Sequence, residues 1–149
     1  MMNYPDDMII KDALTKYFRD NFQRDIGYGE RWVKVKMGPI TISFLNTDAR
    51  RRAVKYHDIH HILTEYPTTM LGEAQIGAWE LTSGGCRWHW PAWILDILAV
   101  FFGLFISPKV VLKAFMDGCN CKNLYEYDYN EELLRKTVGE LRKKQGIKI

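Results

Sequence analysis

From Pro91 to Ile106 the chain runs for sixteen residues with a single charge, Asp96, and Trp88, Trp90 and Trp93 gather at its start. Such a stretch restricts what can surround it. A helix rises about 1.5 Å per residue, so the run reaches about 24 Å, short of the roughly 20 apolar residues needed to cross a bilayer. The run therefore does not span a membrane. From Ala92 to Ile106 it is apolar nearly all round, whereas a surface helix carries a polar face. Two placements remain. Either the helix lies in the core, or a surface that includes Trp93, Leu98, Phe101, Phe102 and Phe105 meets a long-chain lipid or a membrane, with the tryptophans at the polar boundary.

The rest of the chain reads as mainly α: a compact single-domain helical fold with a small N-terminal β-hairpin. A length of 149 residues suits one domain whose core needs no disulfide staple. Between Asp7 and Phe22, the residues Met8, Ile9, Leu14, Tyr17, Phe18 and Phe22 recur at helical spacing. From Trp32 to Phe44 the period changes to two around Gly38-Pro39, the pattern of a hairpin. Asn46-Thr47-Asp48 are capping residues for a helix over Ala49 to Glu65, which Pro67 closes. A second helix is expected from Thr68 or Thr69 through Leu81, ended by Gly84-Gly85. Ser107-Pro108 starts a helix over Lys109 to Asp117, with Gly118 ending it. Tyr125, Tyr127 and Tyr129 suggest a short extended stretch. Asp128 with Glu131 has the spacing of a capping box for a last helix reaching Lys144.

Charge and cysteine usage exclude several classes. A formal charge of +3 is mild, and the basic residues form no tract interleaved with aromatics, so nucleic acid is not an expected partner. Cys86, Cys119 and Cys121 are odd in number, and reduced cytoplasmic thiols are the simplest reading. A thiol site from Cys119, Cys121 and His89 matches no recognised ligand spacing. The polar, acidic start from Met1 to Asp7 is not that of a secretory leader.

Three of the four histidines fall in His57-Asp58-Ile59-His60-His61. On a helix His57 stands at 0°, His61 at about 40° and Asp58 at about 100°, while His60 lies about 60° off on the other side and is dispensable for binding. Eleven residues after His61 comes Glu73, where a second helix folding back brings a carboxylate opposite that face. Two imidazoles and two carboxylates without a thiolate suit zinc, manganese or ferrous iron. The competing reading is an amphipathic helix whose histidines and acid face water. Glu65, four residues after His61, either hydrogen-bonds a ligand imidazole or is solvated at the helix end. One of Arg50, Arg51 and Arg52 is a candidate for holding a substrate anion. The basic tail, Arg135, Lys136 and Arg142 to Lys144, is a solvated face or favours an anionic membrane surface.

The pattern H-D-x-x-H-x11-E resembles the signature of the Coq4 family, which takes part in ubiquinone biosynthesis. Tyr66-Pro67-Thr68 leading into Gly72-Glu73, and Glu140-Leu141-Arg142 through Gly146-Ile147, extend the likeness over about residues 48 to 147. The resemblance implies that His57, Asp58, His61 and Glu73 are metal ligands and that the metal is zinc. It implies a metal-dependent decarboxylase that removes the ring carboxylate of a prenylated aromatic precursor, with Asp58 as the catalytic position. The alternative is a non-catalytic subunit that binds isoprenoid lipid and organises partner biosynthetic enzymes around a structural metal. Both place the protein in the cytoplasm or peripheral to the inner face of a membrane. An HD-type phosphohydrolase would need an upstream histidine, and none precedes His57.

Overall fold

The computed structural model describes residues 3–21, 32–37 and 40–149. Helix α1 (Ile10–Asn21) is followed by an antiparallel hairpin, β1 (Trp32–Met37) and β2 (Ile40–Leu45), in register from Trp32 opposite Leu45 to Met37 opposite Ile40. Then come α2 (Asp48–Thr64), α3 (Met70–Thr82), α4 (Trp90–Ile106), α5 (Pro108–Cys119), α6 (Glu131–Arg135) and α7 (Val138–Gln145). The described chain is mainly helical, as the periodicity predicts. Phe22 and the expected turn residues Gly38 and Pro39 lie outside the described residues.

Two packing units share the helices. In the first, Ile10, Leu14 and Tyr17 of α1 and Ile59, Ile62 and Leu63 of α2 pack with Leu124, Val138 and Leu141. In the second, α3 lies against α4 and α5 through small side chains, Ala74 and Ala78 meeting Val100, Val111 and Ala114. A methyl group at Gly103 would overlap the Cβ of Ala74, so the missing side chain sets how near α4 comes to α3. Gly118 acts in the same way. Expected to end α5, it lies inside that helix against Thr82 and Trp79, and the helix continues to Cys119.

Local chemistry fixes the ends of α2 and α3. The Thr47 side chain accepts the Arg50 N–H at 3.2 Å, and that of Thr69 accepts the Gly72 N–H at 3.2 Å. Helix α2 stops at Glu65, whose backbone is left-handed at φ 56°. A side chain costs free energy in that conformation. Its carboxylate is held by Arg142 at 2.8 Å and by the Tyr4 N–H at 3.2 Å. Arg142 also donates to the carbonyls of Leu63 at 3.0 Å and Ile62 at 3.3 Å, satisfying groups that a helix C-terminus leaves without partners.

Three expectations are corrected. The single last helix is two. Lys136 is extended, its carbonyl accepts the Ile10 N–H at 2.9 Å, and the Val138 N–H donates to Met8 at 2.9 Å, so pairing with the N-terminal segment interrupts the helix. The first piece is capped by the Asn130 side chain, which accepts the Leu133 N–H at 3.0 Å, in place of the expected Asp128 and Glu131, and the second starts at a reciprocal cap between Thr137 and Glu140. The tyrosine stretch is not extended but turns, with the Tyr127 N–H on the Leu124 carbonyl at 2.9 Å. Glu65 turns to Arg142 and Tyr4 instead of to a ligand histidine.

Helix α4 is built inside out. Pro91, Ala92, Asp96, Val100 and Gly103 face inward, while Trp93, Leu98, Phe101, Phe102 and Phe105 are all exposed, Phe105 at 75%. The large side chains therefore line the solvent face and the small ones the packed face. No helix among the described residues is long and apolar enough to cross a membrane.

Candidate metal centre

The site lies where α2 of the first unit meets α3 of the second. His57 and His61, one turn apart on α2, direct their Nε2 atoms to the same place, 3.2 Å from each other. Glu73, in the first turn of α3, faces them: Oε2 is 3.2 Å from His57 Nε2 and Oε1 is 3.4 Å from His61 Nε2. One ligand atom from each of the three lies within 4.8 Å of the others. Asp58 is not in that group. Its carboxylate is buried toward Tyr17 of α1, whose phenol it helps to keep protonated.

The outer ring nitrogens are engaged as well. His61 Nδ1 is 2.9 Å from the Tyr66 carbonyl, which can only accept, so Nδ1 carries the hydrogen and Nε2 is left to bind a cation. His57 Nδ1 is 3.1 Å from Oε1 of Glu80. A ligand histidine held by a carbonyl or carboxylate on its far side is the usual arrangement around a metal. Nitrogen and oxygen donors with those supports fit a divalent ion of the zinc type.

Glu80 is the residue that sequence reasoning missed. It is fully buried and receives His57 Nδ1, His60 Nδ1 at 2.6 Å and the Tyr125 hydroxyl at 2.8 Å. His60, expected to be dispensable, is fully buried too. Its Nε2 accepts the Leu124 N–H at 2.9 Å, so its Nδ1 carries the hydrogen that Glu80 accepts. Asp96, the one charge of the apolar run, completes this inner layer, 3.0 Å from the Cys86 Sγ and with a carboxylate oxygen within 4.8 Å of one of Glu80's. The signal for Glu80 was its spacing: seven residues after Glu73, it returns to nearly the same face of α3.

Charges follow these contacts. Burial works against ionising Glu73, yet the neighbouring His57 and His61 hold its carboxyl far below the usual range. Burial opposes the Glu80 charge too, and His57 and His60 outweigh it. Burial also disfavours a charged His57, but Glu80 and Glu73 raise its pKa well above the ordinary value. A proton on His57 Nε2 and a metal cation would answer the same negative charge. Asp96 goes the other way: burial and the neighbouring Glu80 push its pKa well up, so it keeps its proton.

Two of the arginines before the motif turn back to the start of α2. Arg50 bonds to Asn46 at 2.9 Å, and Arg51 bonds to the Asn46 carbonyl at 2.8 Å and to Asp48. No ligand cluster among the described residues includes Cys119, Cys121 or His89.

A family model described as coenzyme Q (ubiquinone) biosynthesis protein Coq4 matches residues 49–149. The chain is similar to the mitochondrial ubiquinone biosynthesis protein COQ4 of Candida glabrata, 28% identical over 163 residues, covering 99% of this chain and 46% of the relative. It thus spans about half the length of that relative. No solved structure matches.

Proposed function

The chain belongs to the Coq4 family, and from that premise we propose that it is a metal-dependent enzyme of ubiquinone-type biosynthesis that removes the ring carboxylate of a prenylated aromatic compound. The observation that carries this reading is the convergence of His57 Nε2, His61 Nε2 and both oxygens of Glu73 on one place that is open on one side. The side chain of Glu73 is 41% exposed and that of His57 22%. Structural zinc is enclosed by its ligands, whereas a catalytic ion keeps a position free for water or substrate.

His57, His61 and Glu73 would hold the divalent ion, with zinc favoured by the family resemblance. When bound, it supplies Lewis acidity toward a substrate oxygen. The chain's own residues hold the imidazoles in place, Glu80 behind His57 and the Tyr66 carbonyl behind His61. Asp58, assigned by resemblance as ligand and catalytic position, is placed beside Tyr17, and its part in the site rests on that resemblance.

The exposed face of α4 favours a second reading, in which the protein binds isoprenoid lipid or a membrane surface and organises partner enzymes around a structural metal. Leu98, Phe101, Phe102 and Phe105 lie on the side of α4 away from buried Asp96. A prenyl tail or membrane held there would lie across the helix from the metal centre.

The deciding experiment incubates the wild-type chain with prenylated 4-hydroxybenzoate-type compounds and oxygen, follows carboxylate loss by mass spectrometry and measures metal by elemental analysis. The enzyme reading expects about one divalent ion per chain and turnover, both lost in His61→Ala and Glu73→Ala. A chain that takes up no metal on reconstitution overturns the metal centre. Bound metal without turnover, and a large fall in melting temperature for Glu73→Ala, establishes the organising subunit instead.

A further inference from the structure

Glu80 is not part of the H-D-x-x-H-x11-E pattern, yet it is the most heavily engaged side chain near the site. Two imidazole Nδ1 atoms reach its Oε1, at 3.1 Å from His57 and 2.6 Å from His60, and the Tyr125 hydroxyl reaches its Oε2 at 2.8 Å. Neither of the other two partners has freedom to turn away. His60 is held on its far side by the Leu124 N–H, and Tyr125 packs against the His60 ring with centroids 5.2 Å apart. The carboxylate is fixed from two directions, by His60 and Tyr125, before it meets His57.

We propose that Glu80 is the positioning residue of the metal centre: it fixes the ring of His57 so that Nε2 faces His61 and Glu73. The inference rests on the metal reading above and adds a residue to it. His57 needs such a support more than His61 does. His61 is fully buried and its Nδ1 is held by backbone, while His57 is partly exposed, and its ring would otherwise turn about χ2 toward solvent. A carboxylate behind a ligand imidazole also raises its basicity, and losing such a partner typically lowers metal affinity about 10- to 100-fold.

The test uses the full chain and zinc alone as probe. Zinc affinity is measured by competition with a chromophoric chelator for wild type, Glu80→Gln and Tyr125→Phe. The His57 Nδ1–H resonance is followed by nitrogen-edited proton NMR with and without zinc. Glu80→Gln is expected to weaken zinc binding about 10- to 100-fold and to move the Nδ1–H resonance away from the low-field position of a proton held by a carboxylate. Tyr125→Phe, which keeps Glu80 and both histidines, is expected to show a smaller loss in the same direction. It carries the test if Glu80→Gln fails to fold. Wild-type protein that binds no zinc overturns the metal reading itself. Wild-type protein that binds zinc, with either folded variant within twofold of it and the His57 resonance unmoved, overturns the role of Glu80 alone.

Discussion

Two substitutions two residues apart on α4 should differ in size of effect, because the helix packs by its small residues. Gly103→Leu places a Cβ on top of the Cβ of Ala74 and 3.0 Å from Val111 Cγ2, with the rest of the leucine still to be accommodated. Overpacking of a filled core costs roughly 1–3 kcal/mol, and here the upper end applies because the obstacle is an alanine Cβ on a helix and not the end of a flexible chain. Replacing glycine in a helix returns about 1 kcal/mol of propensity, leaving a net loss of about 2 kcal/mol. For a chain of this size that is a melting temperature lower by about 4–8 °C. Phe105→Lys removes a ring that is 75% exposed. A phenylalanine buries about 200 Å² when fully covered, so the quarter covered here is about 50 Å², worth about 1 kcal/mol at 25 cal/mol per Å². The lysine keeps a good helix former and puts a cation in the last turn, where the helix dipole favours it. Thermal unfolding followed by far-ultraviolet circular dichroism compares the two. A wild-type melting temperature for Gly103→Leu together with collapse of Phe105→Lys would show that α4 is turned the other way round, and the inside-out assignment would be wrong.

Arg142→Ala should cost about 3 kcal/mol or more in urea unfolding, because it strips the donor from the Ile62 and Leu63 carbonyls and leaves the Glu65 carboxylate, only 12% exposed, without its cation. An effect under about 1 kcal/mol would show that water serves those groups equally well. Asp96→Asn should gain stability relative to wild type as pH rises from about 4 toward neutrality. The folded state keeps the Asp96 proton and the unfolded state gives it up, so more protons are bound folded and wild-type stability falls through that window. Asparagine has no such proton to lose. Melting curves at several pH values check this, and a constant difference between the two proteins would contradict the buried, protonated assignment.

Capping residues and helical periodicity made the helices legible, because Thr47, Thr69 and Pro108 act within one turn of their own backbone. His57, His61 and Glu73 could be brought together on paper, since one helix face and one tight turn determine where they lie. What escaped depends on partners remote in sequence. The break before Val138 comes from backbone pairing with Met8 and Ile10, more than 120 residues earlier. Glu65 turns left-handed toward Arg142 for the same kind of reason. Glu80 lies outside the H-D-x-x-H-x11-E pattern, and only the packing of α3 on α2, with Tyr125 arriving from a later turn, places it behind His57. The outward face of α4 was one of two open readings, because composition alone does not say which side of an all-apolar helix meets its neighbours.

The seam between the two packing units has a consequence for how the molecule comes apart. Both candidate histidines belong to α2 and the opposing carboxylates to α3, so each contact across the site joins units whose apolar cores are otherwise separate. A bound ion there would act as a tie between two foldons, making their opening cooperative. Hydrogen exchange should then slow together in α2 and in the buried turns of α3 when zinc is added, although the ion touches only a few residues in each.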